Sequence, residues 1–162
     1  MNRRYLLVLT VTLSFITLSA VGQESDPKGP QPDLPREKLV IAGHDGIEHV
    51  FDVEMAVKDD QQIVGEMYRK VVPENGGMLF DWGFARPSQM WMRNTVVSLD
   101  ILFINADGTI RTIAEHTTPR SLAIIDSRGP VRATLELAAG VIKKLNIHVG
   151  DMVKQRIFSN LS

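Results

Sequence analysis

Short strand-like runs separated by turn signals are the feature of this sequence that most constrains its fold. Residues 49–58 alternate between polar and apolar side chains, and a period of two is typical of a strand with one buried face. The β-prone run 39–41 precedes it, and Asp45-Gly46 between them is a turn sequence. The two runs therefore predict a β-hairpin.

Further strand candidates follow along the chain, and turns rather than regular helices separate them. They cover residues 78–82, 88–94, 99–105, 109–115, 132–137 and 152–158. Two short helices are expected, one from Asp59 or Asp60 to about Val71 and one over residues 139–145. Because strands dominate without regular βα alternation, a sandwich or closed sheet is favoured over a parallel sheet. The sequence predicts a mainly β, compact β-sandwich-like domain with one or two short peripheral helices.

The first residues of the chain have the composition of a targeting segment. Arg3 and Arg4 precede an uncharged, leucine-rich run that ends at Ala20-Val21-Gly22. The run is shorter and more polar than a membrane-spanning helix requires, and a basic start with small residues at the end is typical of a signal peptide. We predict a signal peptide over residues 1–22, with an uncleaved membrane anchor as the alternative.

The next segment, residues 23–37, contains four prolines and one large apolar residue, Leu34. Such a segment buries too little apolar surface to order itself. We therefore expect a flexible proline-rich linker that folding does not require. Residues 38–162 are then a single β-rich domain.

Charge and cysteine content exclude several functional classes. The chain has no cysteine, which excludes disulfides, thiol catalysis and a lipid-modified N-terminal cysteine. Loss of the two arginines at positions 3 and 4 changes the formal charge from −1 to −3. An acidic domain without a basic stretch has no electrostatic footprint for nucleic acid. We expect an exported periplasmic or extracellular protein that binds neither nucleic acid nor, after signal cleavage, a membrane.

Common catalytic and metal-binding motifs are missing from the sequence. It has no Gly-x-Ser-x-Gly elbow, no phosphate-binding glycine-rich loop and no His-Glu-x-x-His. The four histidines, His44, His49, His116 and His148, lack the spacing of metal ligands, although ligands can converge from distant segments. The sequence predicts no metal and no cofactor, and it assigns no catalytic residue.

Asp100 is the acidic residue that most needs a partner. The segment 99–104 is otherwise apolar on both faces, which is typical of a strand buried on both sides. A carboxylate there is costly unless it is hydrogen-bonded or paired. We expect Asp100 to be held by an amide donor or by a cation, of which Arg69 is the first candidate.

The leading functional hypothesis is a binding or accessory module for a small molecule or glycan. Trp91 could stack a sugar or another flat ligand if it faces outward, and it fills the core otherwise. Binding sites in sandwich folds are commonly concave. The hypothesis places the pocket between Arg69, Trp91, Asn94 and Asp100.

Two other functions stay open at this level. A hydrolase could use a carboxylate pair such as Asp100 and Glu136 as acid and base. A copper site would need soft thioether ligands, at least three of Met67, Met78, Met90 and Met92. Only the spatial arrangement can separate these hypotheses.

Several blocks occur in the order and spacing of a known family. They are Gly65–Arg69, Gly77–Phe80, Trp91–Thr95, Leu99–Phe103, Gly129–Arg132 and Leu135–Gly140. Over residues 39–153 the chain resembles the uncharacterised family called domain of unknown function 192. The resemblance implies a compact β-rich, jelly-roll-like fold, often behind a signal peptide, and no established activity.

Two positions depart from the pattern of that family. Glu66 stands where the family usually carries an apolar residue, and Met90 stands where an aromatic one is common. Glu66 would place a charge beside the apolar stripe of the first helix. The Trp-Met-x-Asn-Thr block is intact, so the resemblance would transfer any family site there to Trp91, Met92, Asn94 and Thr95.

Overall fold

Seven strands form one mixed sheet in the computed structural model, which describes residues 26–161. The signal peptide predicted over residues 1–22 lies outside the described residues. The strands are β1 (Arg36–Ala42), β2 (Glu48–Ala56), β3 (Gly76–Met90), β4 (Leu99–Ile104), β5 (Ile110–Ala114), β6 (Ile125–Ala138) and β7 (Met152–Lys154). Their order across the sheet is β5-β4-β6-β3-β2-β1-β7. The mainly β fold class is confirmed.

The sheet curls until its two edge strands meet. Thr109, just before β5, forms a bridge with Met152 at the start of β7. Backbone hydrogen bonds on either side join the same edges, from Ile110 N–H to the Asp151 carbonyl at 2.9 Å and from Val153 N–H to the Gly108 carbonyl at 2.8 Å. The curled sheet is sandwich-like because its strands enclose one apolar layer.

That apolar layer is the main core of the protein. Side chains from all seven strands and from α2 (Val141–Lys144) contribute to it. Its most deeply buried members include Leu39, Ile41, Val53, Leu79, Leu102, Leu135, Leu137 and Val153. The expected hairpin of β1 and β2 is present, and its alternating residues point Phe51 inward, as the period-two pattern predicts.

β2 and β3 pair in parallel, which the sequence pattern did not indicate. Parallel strands need a long crossover connection, and residues 57–75 provide it with the helix α1 (Asp59–Val64). The expected continuation of this helix to Val71 is wrong. Gly65 adopts a φ of 50° and ends the helix after six residues.

Three further boundaries differ from the sequence expectations. The strands expected at 78–82 and 88–94 form one long strand, β3, which ends at Met90, and residues 91–98 form a loop. The last expected strand is β7 followed by a 3-10 helix at Arg156–Phe158. Strand β1 starts at Arg36, two residues before the expected start of the domain at residue 38.

Residues 26–35 form hydrogen bonds with strand β2 and with the residues that follow α1. The Tyr68 hydroxyl donates to the Pro27 carbonyl at 2.6 Å, and the Gln31 amide donates to the Gly65 carbonyl at 2.9 Å. The Leu34 N–H donates to Glu54 Oε2 at 2.8 Å. These contacts attach part of the segment to the domain, and the flexible linker expected over residues 23–37 stays a prediction.

The helices described in the structure are short. No helix among residues 26–161 combines the length and hydropathy that a membrane crossing requires.

Candidate functional site

A cavity of about 540 Å³ lies on the outer face of the sheet. Helix α1 and the residues that follow it form one side, and the far half of β3 with the loop after it forms the other. The residues that carry its chemistry are Glu66, Phe80, Trp82, Arg86, Trp91 and Glu136. Asp26 and Pro27 of the N-terminal segment complete the wall.

Two glycines, Gly65 and Gly77, allow Glu66 and Glu136 to reach this cavity. Gly65 ends α1 with a positive φ, and a Cβ there would lie 3.0 Å from the Phe80 ring. The chain therefore turns against the aromatic wall and places Glu66 at the cavity. A side chain at Gly77 would collide with the carbonyl oxygen of Glu136. Glycine at this position allows β3 and β6 to approach closely at the residue that carries the second acid.

An aromatic wall is built by alternation along β3. Phe80 and Trp82 share a face of the strand, with ring centroids 5.7 Å apart in a stacked arrangement. The Arg86 guanidinium lies over the Trp82 ring at 4.6 Å, and Trp82 Nε1 donates to Thr134 Oγ1 at 3.1 Å. The pairing with β6 shifts register after Asp81, and such bulges are over-represented next to functional sites.

Trp91 lies at the mouth of the cavity, directly after β3. Its side chain is 42% exposed, and the Arg93 guanidinium lies 5.1 Å from the ring centroid. Arg93 also forms an ion pair with Asp26. The alternative in which Trp91 fills the core does not hold, since Met92, the next residue, takes the buried position.

Glu66 is buried without a hydrogen-bond partner. It is 3% exposed, and its Oε2 accepts no hydrogen bond from the described residues. Burial raises the pKa of Glu66 to about 7, although the charge of Arg69 opposes the shift. Near neutral pH this carboxyl group is therefore protonated in a large fraction of molecules.

Arg69, the cation beside Glu66, binds Glu54 instead. Arg69 donates to both carboxylate oxygens of Glu54, at 2.6 and 2.8 Å, whereas its Nε is 3.4 Å from Glu66 Oε2. Burial would raise the pKa of Glu54, but the bonds from Arg69 and from the Leu34 amide hold it below its ordinary value. Glu54 is thus the ionised acid of this cluster.

Glu136 is the second acid of the cavity and lies on β6 opposite Met78. It is 4% exposed and forms no ion pair with a described residue. Burial raises its pKa well above the ordinary value of 4.5, and the charge of Glu66 adds to the shift. The cavity therefore holds two buried carboxyl groups whose pKa values are raised, a pattern that is common at functional sites.

The structure separates the four residues that the sequence placed around one pocket. Trp91 lines the cavity, while Arg69 lies behind it and binds Glu54. Asn94 has a left-handed backbone, and its carbonyl accepts a hydrogen bond from the Tyr68 N–H at 2.9 Å. Neither Arg69 nor Asn94 is a lining residue.

Asp100 lies apart from the cavity and is fully buried. Its Oδ1 accepts from the His116 N–H at 2.9 Å, and its Oδ2 accepts from the N–H groups of Gly140 and Ile142 at 2.8 and 3.1 Å. Amide donors rather than Arg69 hold this carboxylate. Asp100 ties the start of α2 to the end of β5, and its oxygens are engaged within the fold.

The four methionines divide between the cavity and the apolar clusters. Met67 and Met90 line the cavity, whereas Met78 and Met92 are buried in two apolar clusters, and Met90 packs against both. These positions agree with methionine as a filler of apolar space, the alternative to a copper site.

Sequence reasoning did not identify the pair of Glu66 and Glu136. Glu136 was considered only with Asp100, and Glu66 only as an unusual charge near the first helix. The signal for Glu66 was its position in an otherwise apolar pattern, because a charge there must either be paired or serve a site.

A model of the DUF192 family, described as an uncharacterised ACR, matches residues 40–155. No curated protein matches the chain. Solved structures that are similar to it were found. A protein from Sinorhizobium meliloti 1021, named as a proposed transcription regulator, is 45% identical, with a TM-score of 0.76 and coverage of 78% of this chain and 98% of that one.

A protein of unknown function from Novosphingobium aromaticivorans DSM 12444 is also similar. It is 32% identical, with a TM-score of 0.74, and the match covers 82% of this chain and 94% of that one. Both matches span nearly the whole length of the relatives. The fold and family are shared, and no ligand is named for either protein.

Proposed function

Because the chain belongs to the DUF192 family, for which no activity is established, we propose a function from its cavity. The protein is a binding module for a small, uncharged ligand that has hydroxyl groups and a flat face, such as a sugar ring. The proposal rests on one observation. Two buried carboxyl groups with raised pKa values line a single cavity whose wall and mouth are aromatic.

The carboxyl groups suit hydroxyl groups as partners. A protonated carboxyl both donates and accepts a hydrogen bond, and a ligand hydroxyl does the same. Oε2 of Glu66 has no hydrogen-bond partner among residues 26–161, so a ligand that supplies one would remove the cost of an unsatisfied buried group. The cavity of about 540 Å³ is within the range of small-molecule sites.

Charge around the cavity disfavours charged ligands of either sign. Arg86 at the rim repels a cation, whereas the charge of Arg93 is paired with Asp26. An anion would meet Glu66 and Glu136, and it would have to enter a site that already disfavours negative charge. An uncharged ligand avoids both costs, while Trp91 and Trp82 provide aromatic faces on which a sugar ring can stack.

The test is a screen of neutral mono- and disaccharides by ligand-observed NMR on the purified protein. We expect at least one saccharide to show saturable binding. Trp91→Ala should weaken it by up to about tenfold, because aromatic stacking is worth roughly 0.5–1.5 kcal/mol beyond the buried area. The control is Phe84→Ala, since Phe84 is an exposed aromatic of β3 that does not line the cavity. Equal loss in both variants, or no binding in the panel, would contradict the proposal.

The same acids support a second candidate, a carboxylate-dependent hydrolase. Glu136 would be the general acid, since burial raises its pKa well above the ordinary value and so favours the protonated form, and Glu66 would be the base. This pair keeps Glu136 and replaces Asp100 with Glu66, because the oxygens of Asp100 are bonded to backbone amides. Time-dependent cleavage of a bound saccharide that Glu136→Gln abolishes would favour the hydrolase, whereas binding without cleavage favours the module.

The proposal extends to location and partners. Residues 1–22 have the composition of a signal peptide, so we infer that binding takes place outside the cytoplasm. The name of the Sinorhizobium meliloti relative suggests regulation of transcription for that protein. The net charge of −1 for this chain gives no support for a nucleic-acid partner.

A further inference from the structure

Two histidines and an aspartate meet at the closed end of the β1–β2 hairpin, and none of them lines the cavity described above. His44 lies in the turn between β1 and β2. His148 and Asp151 lie in the loop between α2 and β7. The sequence predicted no metal because the histidines are far apart along the chain, but the pairing of β1 with β7 brings these loops together.

The side chains of the three residues converge. One imidazole nitrogen from each histidine and one oxygen of Asp151 lie within 4.8 Å of one another. The Nδ1 of His44 is 3.3 Å from Oδ1 of Asp151. The two rings stand nearly perpendicular, with centroids 4.7 Å apart. A single ion between the three groups could contact all of them after small rotations of the exposed rings.

Asp151 is fixed in place but keeps capacity for a further ligand. Its side chain is 1% exposed. Oδ1 accepts from the His44 N–H at 2.9 Å and Oδ2 from the His148 N–H at 2.7 Å. Each carboxylate oxygen has two acceptor positions. One position of Oδ2 stays open, and the second position of Oδ1 faces Nδ1 of His44 at 3.3 Å. Hydrogen bonds of this kind to a ligating carboxylate orient it for a metal.

The carboxylate of Asp151 has no lysine or arginine partner in the described part of the chain, and the side chain beside it is the His44 imidazole. The carboxylate is nevertheless almost completely buried. Burying an unpaired charge is costly. A bound cation would compensate it, and the exposed side of the histidines leaves a path from solvent.

Both loops are held rigidly enough to form a site. Gly46 and Gly150 adopt φ values of 79° and 94°, which glycine allows without strain. The Gly150 N–H donates to the Ile110 carbonyl at 2.9 Å, and the Gly43 N–H donates to the Ile47 carbonyl at 2.9 Å. The ligand positions are therefore fixed by the sheet edge rather than by a free loop.

We propose that His44, His148 and Asp151 bind one divalent transition-metal cation, with Zn²⁺ as the representative ion. Two imidazoles and one carboxylate are a donor set that zinc uses with a fourth position open to water or another ligand. Hard cations such as Mg²⁺ and Ca²⁺ prefer oxygen ligands alone. The bound ion would clamp the β1–β2 turn to the loop before β7.

The test is a calorimetric titration of the purified, tag-free protein with ZnCl₂ at pH 7.5. We expect one ion per chain, with an affinity in the micromolar range or tighter, and no competition by Mg²⁺. His44→Ala and His148→Ala should each weaken binding at least tenfold. Both residues are exposed, so the variants should fold. The control is His116→Asn, an exposed histidine outside the cluster, where asparagine tolerates the left-handed backbone.

A second readout is independent of calorimetry. Saturating Zn²⁺ should raise the thermal midpoint of the wild type by several degrees, and it should not do so in the His44→Ala/His148→Ala double variant. Binding of Zn²⁺ by the double variant with wild-type affinity would overturn the proposal. So would a dissociation constant in the millimolar range for the wild type.

Discussion

Replacement of Glu66 by glutamine should make the protein more stable at high pH and leave its stability at low pH almost unchanged. In the folded protein, burial raises the pKa of Glu66 from 4.5 to about 7. The unfolded chain loses this proton near pH 4.5, whereas the folded protein keeps it until about pH 7. Stability therefore falls as pH rises through this window and is level above it.

The size of the effect follows from the shift. A tenfold change in proton affinity corresponds to about 1.4 kcal/mol, so the wild type loses about 3 kcal/mol of unfolding free energy through this group between pH 4 and pH 8. Glutamine has no charge to bury and loses nothing. The Glu66→Gln variant should match the wild type at pH 4 and exceed it by up to about 3 kcal/mol at pH 8.

Urea denaturation of both proteins at the two pH values measures the difference, and contributions of other titrating groups largely cancel between them. The exposed Glu115→Gln serves as the matched control and should change stability little at either pH. A Glu66→Gln protein that is less stable than the wild type at pH 8 would refute the reasoning. That result would mean that Arg69 stabilises an ionised Glu66.

Three further predictions follow from other parts of the chain. Deletion of residues 23–35 should lower the thermal midpoint by several degrees, measured by circular dichroism, because it removes the hydrogen bonds to Pro27, Gln31 and Leu34; an unchanged midpoint would support the linker interpretation. Asp100→Asn should cost roughly 1–3 kcal/mol in denaturant titration, since an amide cannot accept from all three N–H groups; an unchanged or higher stability would contradict this. Mass spectrometry of the exported protein should find an N-terminus after Gly22, and retention of Met1 would contradict the signal peptide.

Local sequence patterns were sufficient to predict most of the strands and the burial of one acidic residue, Asp100. The apolar residues on both sides of Asp100 indicated a strand buried on both faces, and β4 is buried throughout. The need of that carboxylate for donors was also predictable, because an unpaired buried charge is costly. Which donors it finds depends on α2, whose first residues are forty positions further along the chain.

The cavity could not be predicted in the same way, because distant segments form it. Glu66 and Glu136 are separated by seventy residues, and they meet only through the parallel pairing of β2 with β3 and the antiparallel pairing of β3 with β6. No local periodicity encodes either pairing. The early end of α1 at Gly65 and the end of β3 at Met90 also decide which side chains face the cavity.

The most direct test of the proposed function is a fluorescence titration with the saccharide panel. The chain has only two tryptophans, Trp82 and Trp91, and both line the cavity, so their emission reports on its occupancy. We predict a saturable change for at least one neutral saccharide, with tighter binding at pH 5.5 than at pH 8, since Glu66 is protonated at the lower pH. Emission that no saccharide changes at either pH, or binding that strengthens as Glu66 ionises, would contradict the account.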